Sequence, residues 1–307
     1  MSEKADKNTA SEANISKTIE NWRSKGLYRQ LCGHRIFTID EWCGNEQKPT
    51  VVLIHGFPSS SWDWEAIWEP LQGRYRLVTL DMLGFGFSDK PNKRNYSIHG
   101  QADLFEALIR ELGLEQYHIL AHDYGDTVAQ ELLARQLEGS GAGKCLSACF
   151  LNGGIFPETH RALLTQKLLL SPLGPLINHF NGFASFKKNF SSVFGPASKP
   201  TEFELQVFWQ LINENNGKHL FHNLITYIND RKQHRERWIK PLQESSIPLA
   251  LINGSADPVS GAHMVARYKE LNCRLDYLKE LPLIGHYPQV EDSEGVLDGH
   301  LEFLRFQ

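Results

Sequence analysis

The stretch Ala121-His122-Asp123-Tyr124-Gly125 decides the fold, because it stands between a strand-like run and a helix-like run. Residues 117–121 are apolar enough for a buried strand, and apolar residues at 128, 132 and 133 give the following helix one apolar face. A sharp strand-to-helix turn with small residues on both sides presents its central side chain at the edge of a sheet. Ala121 and Gly125 must be small because strand and helix approach closely there. We therefore predict that Asp123 is the exposed centre of such a turn.

Continuous β-branched and apolar runs recur along the chain and predict strands that are buried on both faces of a parallel sheet. Six runs have this character: 51–54, 76–80, 117–121, 148–151, 248–252 and, more weakly, 274–278. Residues 33–42 alternate as an edge strand does. Helical patterns separate the runs at 102–112, after Asp123, and at 288–306. This alternation predicts an α/β fold with a mostly parallel, doubly wound sheet.

One long stretch breaks the alternation and predicts an inserted cap. Between Gly153 and about Ser246 the sequence shows helical fragments, prolines and many aromatic residues, without a convincing strand. We divide the chain into a tail with a short helix (1–27), a core (28–153 and 247–307) and a helical cap insertion (154–246). Residues up to about Ile15 are polar and are expected to be disordered, with the short helix near 19–22.

Composition narrows the function classes. The formal net charge is −4 and Lys and Arg form no long block, so no nucleic-acid partner is expected. No apolar run approaches the roughly 20 residues that cross a bilayer, and the N-terminal residues lack the apolar core of a secretory signal. The five cysteines have no C-x-x-C spacing and are expected to be buried, reduced thiols. These features predict a cytoplasmic protein with no membrane partner, and no ligand cluster suggests a metal or other cofactor.

Asp123 stands where such a turn commonly has serine, and this changes the expected chemistry. Taken alone, the aspartate could equally be a helix cap. As a nucleophile, a carboxylate is ionised at neutral pH and needs no base in order to attack. It forms an ester with the carbon that it attacks, and a base is needed only to activate the water that cleaves this ester. That chemistry suits displacement at an sp³ carbon better than attack on a carbonyl.

A base and an acid that orients it follow in the expected order. Asp257 lies just after the 248–252 run, and His286 lies in Gly285-His286-Tyr287-Pro288 before the last helix. An Asp-Pro turn and one of 13 histidines are each commonplace. Together, in this order and at strand-to-helix junctions, they predict a triad with Asp123.

An oxyanion hole is predicted from the backbone amides of Phe57 and Tyr124. Phe57 belongs to His55-Gly56-Phe57-Pro58, which follows the 51–54 strand, and Tyr124 follows the nucleophile. His55 is expected to be structural. The glycines of Asp81-Met82-Leu83-Gly84-Phe85-Gly86 lack the rest of a nucleotide fingerprint and are expected to form a tight turn that braces the elbow.

As a set, these motifs resemble the α/β-hydrolase superfamily from about residue 28 onwards, and its epoxide hydrolase and haloalkane dehalogenase branch in particular. The matching motifs are H-G-F-P at His55, D-x-x-G-x-G-x-S at Asp81, H-D-Y-G at His122, the late Asp257, and G-H-x-x-Q at Gly285. The run from Leu151 to Arg161 further resembles the group of mesoderm-specific transcript proteins and their bacterial relatives. The resemblance implies the α/β-hydrolase fold with a cap, and the triad named above.

Departures from the motifs of this branch leave the identity of the substrate undecided. Dehalogenases of this branch usually place Trp after the nucleophile and often Asn in the oxyanion loop, where this chain has Tyr124 and Phe57. Trp209 or Trp238 of the cap are candidates to supply an N–H to a halide. Epoxide hydrolases use cap tyrosines to protonate the opening oxygen, and Tyr227 is the candidate here, although a packed aromatic residue explains it as well. Asp126 is unusual and is expected to form a salt bridge within the cap or to be solvated.

The sequence therefore favours a hydrolase that forms a covalent ester on Asp123, epoxide-hydrolase-like, with a small apolar molecule as its substrate. One alternative is a haloalkane dehalogenase or another α/β-hydrolase that cleaves an ester or lactone. Another is a catalytically retired hydrolase fold that serves as a binding protein, against which the intact Asp–Asp–His set argues. The oligomeric state is left open by the sequence.

Overall fold

The computed structural model describes residues 2–44, 48–92, 96–179 and 182–305. Its eight strands are β1 (Leu27–Leu31), β2 (His34–Glu41), β3 (Thr50–Ile54), β4 (Arg76–Leu80), β5 (Gln116–Ala121), β6 (Lys144–Phe150), β7 (Leu249–Gly254) and β8 (Tyr277–Leu281). They form one sheet in the order β1-β2-β4-β3-β5-β6-β7-β8. β2 pairs antiparallel with β1 and β4, and the other pairs are parallel. The predicted α/β-hydrolase fold with a mostly parallel sheet is confirmed.

Helices cover the sheet and fill the connection between β6 and β7. They are α1 (Ser2–Ser24), α2 (Glu65–Gln72), α3 (Ile98–Glu111), α4 (Tyr124–Leu137), α5 (Leu164–Leu169), α6 (Gly174–His179), α7 (Phe183–Ser192), α8 (Glu202–Asn213), α9 (Phe221–Leu224), α10 (Tyr227–Gln233), α11 (Arg235–Glu244), α12 (Ala262–Glu270), α13 (Pro288–Glu291) and α14 (Ser293–Arg305). Two 3₁₀ helices span Ser61–Trp64 and Glu214–Leu220. Among the described residues of the β6–β7 connection there is no strand, as the sequence predicted; the boundaries at 154 and 246 remain predictions.

Central strands are buried because their apolar residues have a helix layer on each side. Every residue of β3 and of β7 is buried. The helix before β5 shows how the sequence sets such a layer: Ser97 caps α3 by accepting the amide N–H of Gly100, and Leu104, Phe105 and Leu108 then turn inwards. No helix in the described ranges is long and apolar enough to span a membrane.

Three predictions of secondary structure are corrected. α1 spans Ser2–Ser24 rather than a short stretch near 19–22, and Ile15, Ile19 and Trp22 recur along it at helical spacing and are buried. The strand at 33–42 is not the edge, because β1 pairs outside it. β8 lies three residues later than the 274–278 run, on a strand whose side chains are mostly half-buried and therefore give a weak pattern.

The cysteines follow the prediction only in part. Cys145, Cys149 and Cys273 are buried, two of them in β6. Cys32 and Cys43 are exposed, because they lie in the connections at the two ends of β2 rather than in the core.

Candidate active site

Four loops bring the predicted catalytic residues to the carboxyl edge of the sheet. Phe57 follows β3, Asp123 follows β5, Asp257 follows β7 and His286 follows β8. In a parallel sheet the carboxyl ends of neighbouring strands meet at one edge, and the crevice outside that edge is where ligands bind. The sequence-predicted residues therefore converge on one place.

Asp123 has the strained backbone of a sharp elbow. Its φ is 48° and its ψ is −106°, which is left-handed backbone that a side chain other than glycine rarely adopts. Its side chain makes no capping hydrogen bond to α4, so the interpretation of Asp123 as a helix cap was wrong. Gly125 shows why the flanking residue must be small: a Cβ there would stand 2.2 Å from the carbonyl oxygen of Ile54.

Asp257 and His286 form a buried, hydrogen-bonded pair. His286 Nδ1 lies 2.7 Å from Asp257 Oδ2, and Asp257 also accepts from the amide and hydroxyl of Ser260 and from Asn152 Nδ2. Burial alone would raise the pKa of Asp257, but the charge and hydrogen bond of His286 outweigh it and lower that pKa to about 2. Asp257 is therefore a carboxylate over the whole physiological range.

The surroundings of His286 favour its protonated form at neutral pH. Burial lowers the pKa of His286, yet the charge and hydrogen bond of Asp257, together with the charge of Asp123, raise it to about 9. The Nε2 atom of this imidazolium lies 3.8 Å from Asp123 Oδ1. A cation thus stands beside one oxygen of the Asp123 carboxylate.

The other oxygen of Asp123 faces the predicted oxyanion hole. The Phe57 amide donates to Asp123 Oδ2 over 3.1 Å, and Tyr124 is the first residue of α4, directly after the elbow. The loop that carries Phe57 is held by His55, whose Nε2 accepts the amide N–H of Met82 at 3.0 Å. His55 is therefore structural, as expected.

The glycine-containing turn after β4 closes around Asp81. This carboxylate accepts the amides of Ser61 and Phe87, and Gly84 and Gly86 both have positive φ. A Cβ on Gly86 would collide with Asp81 Oδ2 at 2.1 Å. The turn carries Met82, which bonds His55, and Phe85, whose ring meets that of Tyr124, so it braces the site rather than binding a nucleotide.

A cavity of about 470 Å³ opens above Asp123 and His286. Most of its walls are apolar and come from both the core and cap helices α5, α6 and α7. Its lining comprises Phe57, Pro58, Asp123, Leu163, Thr165, Gln166, Leu168, Leu169, Ile177, Ser185, Phe186, Asn189, Phe190, Val193, Phe221, Val259, His286 and Tyr287. The shape and chemistry suit a mainly apolar small molecule.

The three cap residues proposed from sequence do not line this cavity. Tyr227 is buried behind Phe57, with ring centroids 6.0 Å apart. Trp209 packs on Phe186 from behind, at 5.2 Å between centroids. Trp238 donates its indole N–H to Glu131 Oε2 over 2.8 Å, so that N–H is not available to a leaving group.

Arg231 on α10 was missed by the sequence reasoning and lies beside Asp123. It is buried, and its Nη2 donates to the backbone carbonyl of Asp123 over 3.0 Å and lies 3.7 Å from Asp123 Oδ1. Its Nε donates to Thr127 Oγ1 at 2.7 Å. The only sequence signal is the spacing of Tyr227 and Arg231, which puts both on one face of α10, where the guanidinium stacks 4.5 Å from the Tyr227 ring centre.

Asp126 is neither paired with the cap nor solvated, so both expectations for it were wrong. It is fully buried, and neither carboxyl oxygen makes a hydrogen bond to a described residue. Burial first, and then the charge of Asp123, raise the pKa of Asp126 well above its ordinary value. Its surroundings beneath the elbow therefore favour the neutral carboxylic acid, and a Cβ on Gly153 would collide with it.

Among the described residues, no group of three or more His, Cys, Asp or Glu side chains is arranged to hold a metal ion.

Comparison with known proteins gives relatives along nearly the whole chain. A family model described as alpha/beta hydrolase fold matches residues 49–293. The mesoderm-specific transcript protein of Mus musculus is 43% identical over 305 residues, which cover 94% of this chain and 89% of that protein. The putative hydrolase LipZ of Mycobacterium tuberculosis is 35% identical over 289 residues, which cover 94% of this chain and 99% of that protein.

A solved structure with the same fold is a haloalkane dehalogenase, the DbeA-M1 loop variant from Bradyrhizobium elkanii. It aligns with a TM-score of 0.76 at 21% identity and covers 91% of this chain and 96% of its own. At that identity the likeness shows the fold alone. With the sequence relatives, it confirms the family resemblance.

Proposed function

Because this chain belongs to the alpha/beta hydrolase fold family and is a hydrolytic enzyme, we propose that Asp123 is its nucleophile and that its substrate is a small apolar epoxide. One observation carries the proposal. At the floor of an apolar cavity, one oxygen of Asp123 accepts the Phe57 amide and the other faces the Asp257-paired imidazolium of His286. This arrangement fits a carboxylate that forms an ester, beside a group that handles protons.

In the first step, Asp123 Oδ1 attacks a ring carbon of the epoxide. The new bond joins Oδ1 to carbon, the ring carbon–oxygen bond breaks, and its electron pair goes to the ring oxygen. His286 Nε2 gives its proton to that oxygen, which becomes a hydroxyl. The product of this step is an ester on Asp123 and a neutral imidazole.

In the second step, the neutral His286 takes a proton from water as the water attacks the ester carbon of Asp123. The negative charge develops on Oδ2, which the Phe57 and Tyr124 amides would hold. The acyl–oxygen bond then breaks and Oδ1 leaves as an alkoxide, which takes the remaining proton of the added water and becomes the second hydroxyl of the diol. The water oxygen remains in Asp123, which is again a carboxylate, and His286 keeps the proton that it took. Esterification removes the Asp123 charge that helps to raise the His286 pKa, so the imidazole becomes the base just when one is needed.

Ring opening fits the cavity better than halide release does. In dehalogenases of this branch an indole N–H usually holds the departing halide, and among the described residues that line the cavity there is no tryptophan. The one lining tyrosine, Tyr287, donates its hydroxyl to the carbonyl of Phe57 at 3.0 Å. An epoxide needs a single proton, and His286 carries one at the start of the cycle.

Oxygen labelling tests the nucleophile without depending on His286. The wild type is incubated in H₂¹⁸O with panels of apolar epoxides, haloalkanes and esters, and the mass of the peptide that contains residue 123 is measured by mass spectrometry. Any compound hydrolysed through the ester should leave ¹⁸O in Asp123, whereas Asp126→Asn should still label there and Asp123→Asn should be inactive. Turnover without label in Asp123 would overturn the covalent mechanism. Labelling with haloalkanes but no turnover of epoxides would assign the dehalogenase activity instead.

A matched substrate pair tests the double role of His286. The variant His286→Ala is exposed to an epoxide and to the bromoalkane with the same carbon skeleton, and adducts on Asp123 are followed by mass spectrometry. Bromide needs no proton to leave, so its adduct should accumulate, while the epoxide adduct should form much more slowly. Equal rates for the two compounds would show that another group protonates the epoxide.

A further inference from the structure

The helical hairpin formed by α5 and α6, at the mouth of the cavity, exposes four leucines. Leu164 is 72% exposed, Leu173 62%, Leu176 57% and Leu168 41%. The two helices pack on each other across a tight turn, where a Cβ on Gly174 would stand 2.1 Å from the carbonyl of Leu169. Four exposed leucines on one short hairpin form an apolar surface of the kind that marks an interaction site.

This surface is continuous with the cavity. Leu168 lines the cavity and is exposed on the outside as well, and Ser185 of α7 also lines it and is exposed. The apolar walls formed by Leu163, Leu169 and Ile177 lie on the inner side of the same hairpin. The outer leucines and the mainly apolar wall of the cavity thus belong to the same hairpin.

The charge of the segment is opposite in sign to that of the whole chain. Residues 159–201 contain five cations and no Asp or Glu, although the formal net charge of the chain is −4. Lys187 pairs with Glu202, which lies outside the segment. In the part of the chain that the structure describes, no ion pair engages Arg161, Lys167 or Lys188, and all three are exposed.

We propose that the α5–α6 hairpin docks on the surface of an anionic lipid bilayer and that the cavity takes its apolar substrate from that bilayer. Exposed leucines flanked by Lys and Arg are the combination that enters the interface of an anionic membrane, apolar area and charge acting together. Docking requires no membrane-spanning helix, and it revises the sequence-based expectation of no membrane partner. The delivery of substrate rests on the proposed function, whereas the docking does not.

Vesicle flotation measures the docking directly. The full chain is mixed with vesicles of phosphatidylcholine that contain phosphatidylserine and with vesicles of phosphatidylcholine alone. We expect binding to the anionic vesicles that weakens as salt is added. Combining Leu164→Ser, Leu173→Ser and Leu176→Ser should weaken binding by at least about tenfold, since each leucine loses apolar area that the interface would bury. Leu27→Ser with Leu137→Ser, at exposed leucines far from the hairpin in sequence, is the matched control and should bind as the wild type does.

Charge variants separate the electrostatic contribution to vesicle binding from the apolar one. Lys167→Gln with Lys188→Gln should reduce the preference for anionic over neutral vesicles, and Lys240→Gln on α11 should not. Absence of binding to anionic vesicles, or binding that the triple leucine variant leaves intact, would overturn the proposal. So would light scattering that shows the triple variant dissociating an oligomer, because the leucines would then cover a second copy of the chain.

Activity on substrate held in vesicles tests the delivery step. The triple leucine variant should hydrolyse a water-dissolved epoxide as the wild type does and lose activity towards a long-chain epoxide dissolved in anionic vesicles. If no epoxide is hydrolysed in either form, the proposed function fails while flotation still decides the docking. An equal loss of activity towards the water-dissolved epoxide and the vesicle-dissolved epoxide would contradict delivery from the bilayer.

Discussion

Replacing Arg231 by methionine should destabilise the fold mainly because the Asp123 carboxylate loses a buried partner. Arg231 and Asp123 are almost completely buried, and Nη2 stands 3.7 Å from Oδ1. The substitution also removes the hydrogen bonds to the Asp123 carbonyl and to Thr127 Oγ1. A double-mutant cycle with Asp123→Asn isolates the charge, because asparagine keeps the shape of the side chain and removes its charge.

The distance sets the size of the coupling. Two unit charges 3.7 Å apart interact by about 4.5 kcal/mol at an effective dielectric constant of about 20. His286 and the Phe57 amide continue to face Asp123 when Arg231 is absent, so part of this energy is retained. We therefore expect a coupling free energy of about 2–4 kcal/mol between residues 231 and 123.

Urea denaturation of the wild type, the two single variants and the double variant measures that coupling. Arg231→Met should cost several kcal/mol of unfolding free energy in the wild-type background and clearly less when Asn occupies position 123. The surface pair of Arg235 and Glu158 is the matched control: it is partly exposed, and its cycle should give less than about 1 kcal/mol. A coupling below about 0.5 kcal/mol for Arg231 and Asp123 would refute the reasoning.

Three further predictions follow from the burial of single groups. Asp126→Asn should be more stable than the wild type at pH 7, because burial raises the pKa of the native acid and opposes its ionisation, whereas the unfolded acid ionises freely. In urea titrations the gain should shrink as the pH falls towards about 4, and a gain that persists there would contradict the prediction. Gly125→Ala should lower the unfolding free energy by at least about 1–3 kcal/mol in thermal and urea unfolding, because its Cβ would meet backbone atoms. Gly182→Ala, with no atom within 4 Å of the new Cβ, should leave the unfolding free energy unchanged. The folded-state pKa of His286 is raised to about 9. The stability that its protonated form contributes is therefore fully present below about pH 6.5 and is lost as the pH rises through about 9. The unfolding free energy measured from about pH 6 to about 10 should fall in this way for the wild type and much less for Asp257→Asn.

Much of the sheet could be predicted because buried parallel strands leave a strong local pattern. The 76–80 run coincides with β4, and the 51–54 run lies within β3. β1 was missed because its residues are mostly exposed or half-buried and so form no apolar run. Its presence moves β2 from the edge to an interior position, which no local pattern reports, because pairing between strands is a property of the whole sheet.

The positions of Asp123, Asp257 and His286 could be predicted because each follows a strand that an apolar run in the sequence predicts. The cap residues could not, because a short cap helix is placed by packing rather than by local pattern. Trp238 illustrates this: the sequence shows an indole in the cap, and only the fold reveals that its N–H is bonded to Glu131 on α4. Arg231 illustrates the reverse: its spacing from Tyr227 places both residues on one face of α10, and only the fold reveals that Arg231 lies beside Asp123.

The contacts of the cap helices divide the cap into a part that is bonded to α4 and a part that is not. α10 and α11 are bonded to α4 through Arg231, through Trp238 and through Arg237, which also pairs with Glu131. Any displacement of α10 would move a cation that bonds the carbonyl of Asp123, so this part must stay fixed for Asp123 to keep its position. α5 and α6 pack on each other, and α6 packs on α9 and the neighbouring 3₁₀ helix, at the far side of the cavity from the elbow bonds. Substrate entry past the α5–α6 hairpin would leave the contacts of Asp123 undisturbed, and this hairpin also presents its leucines and Lys167 to the outside.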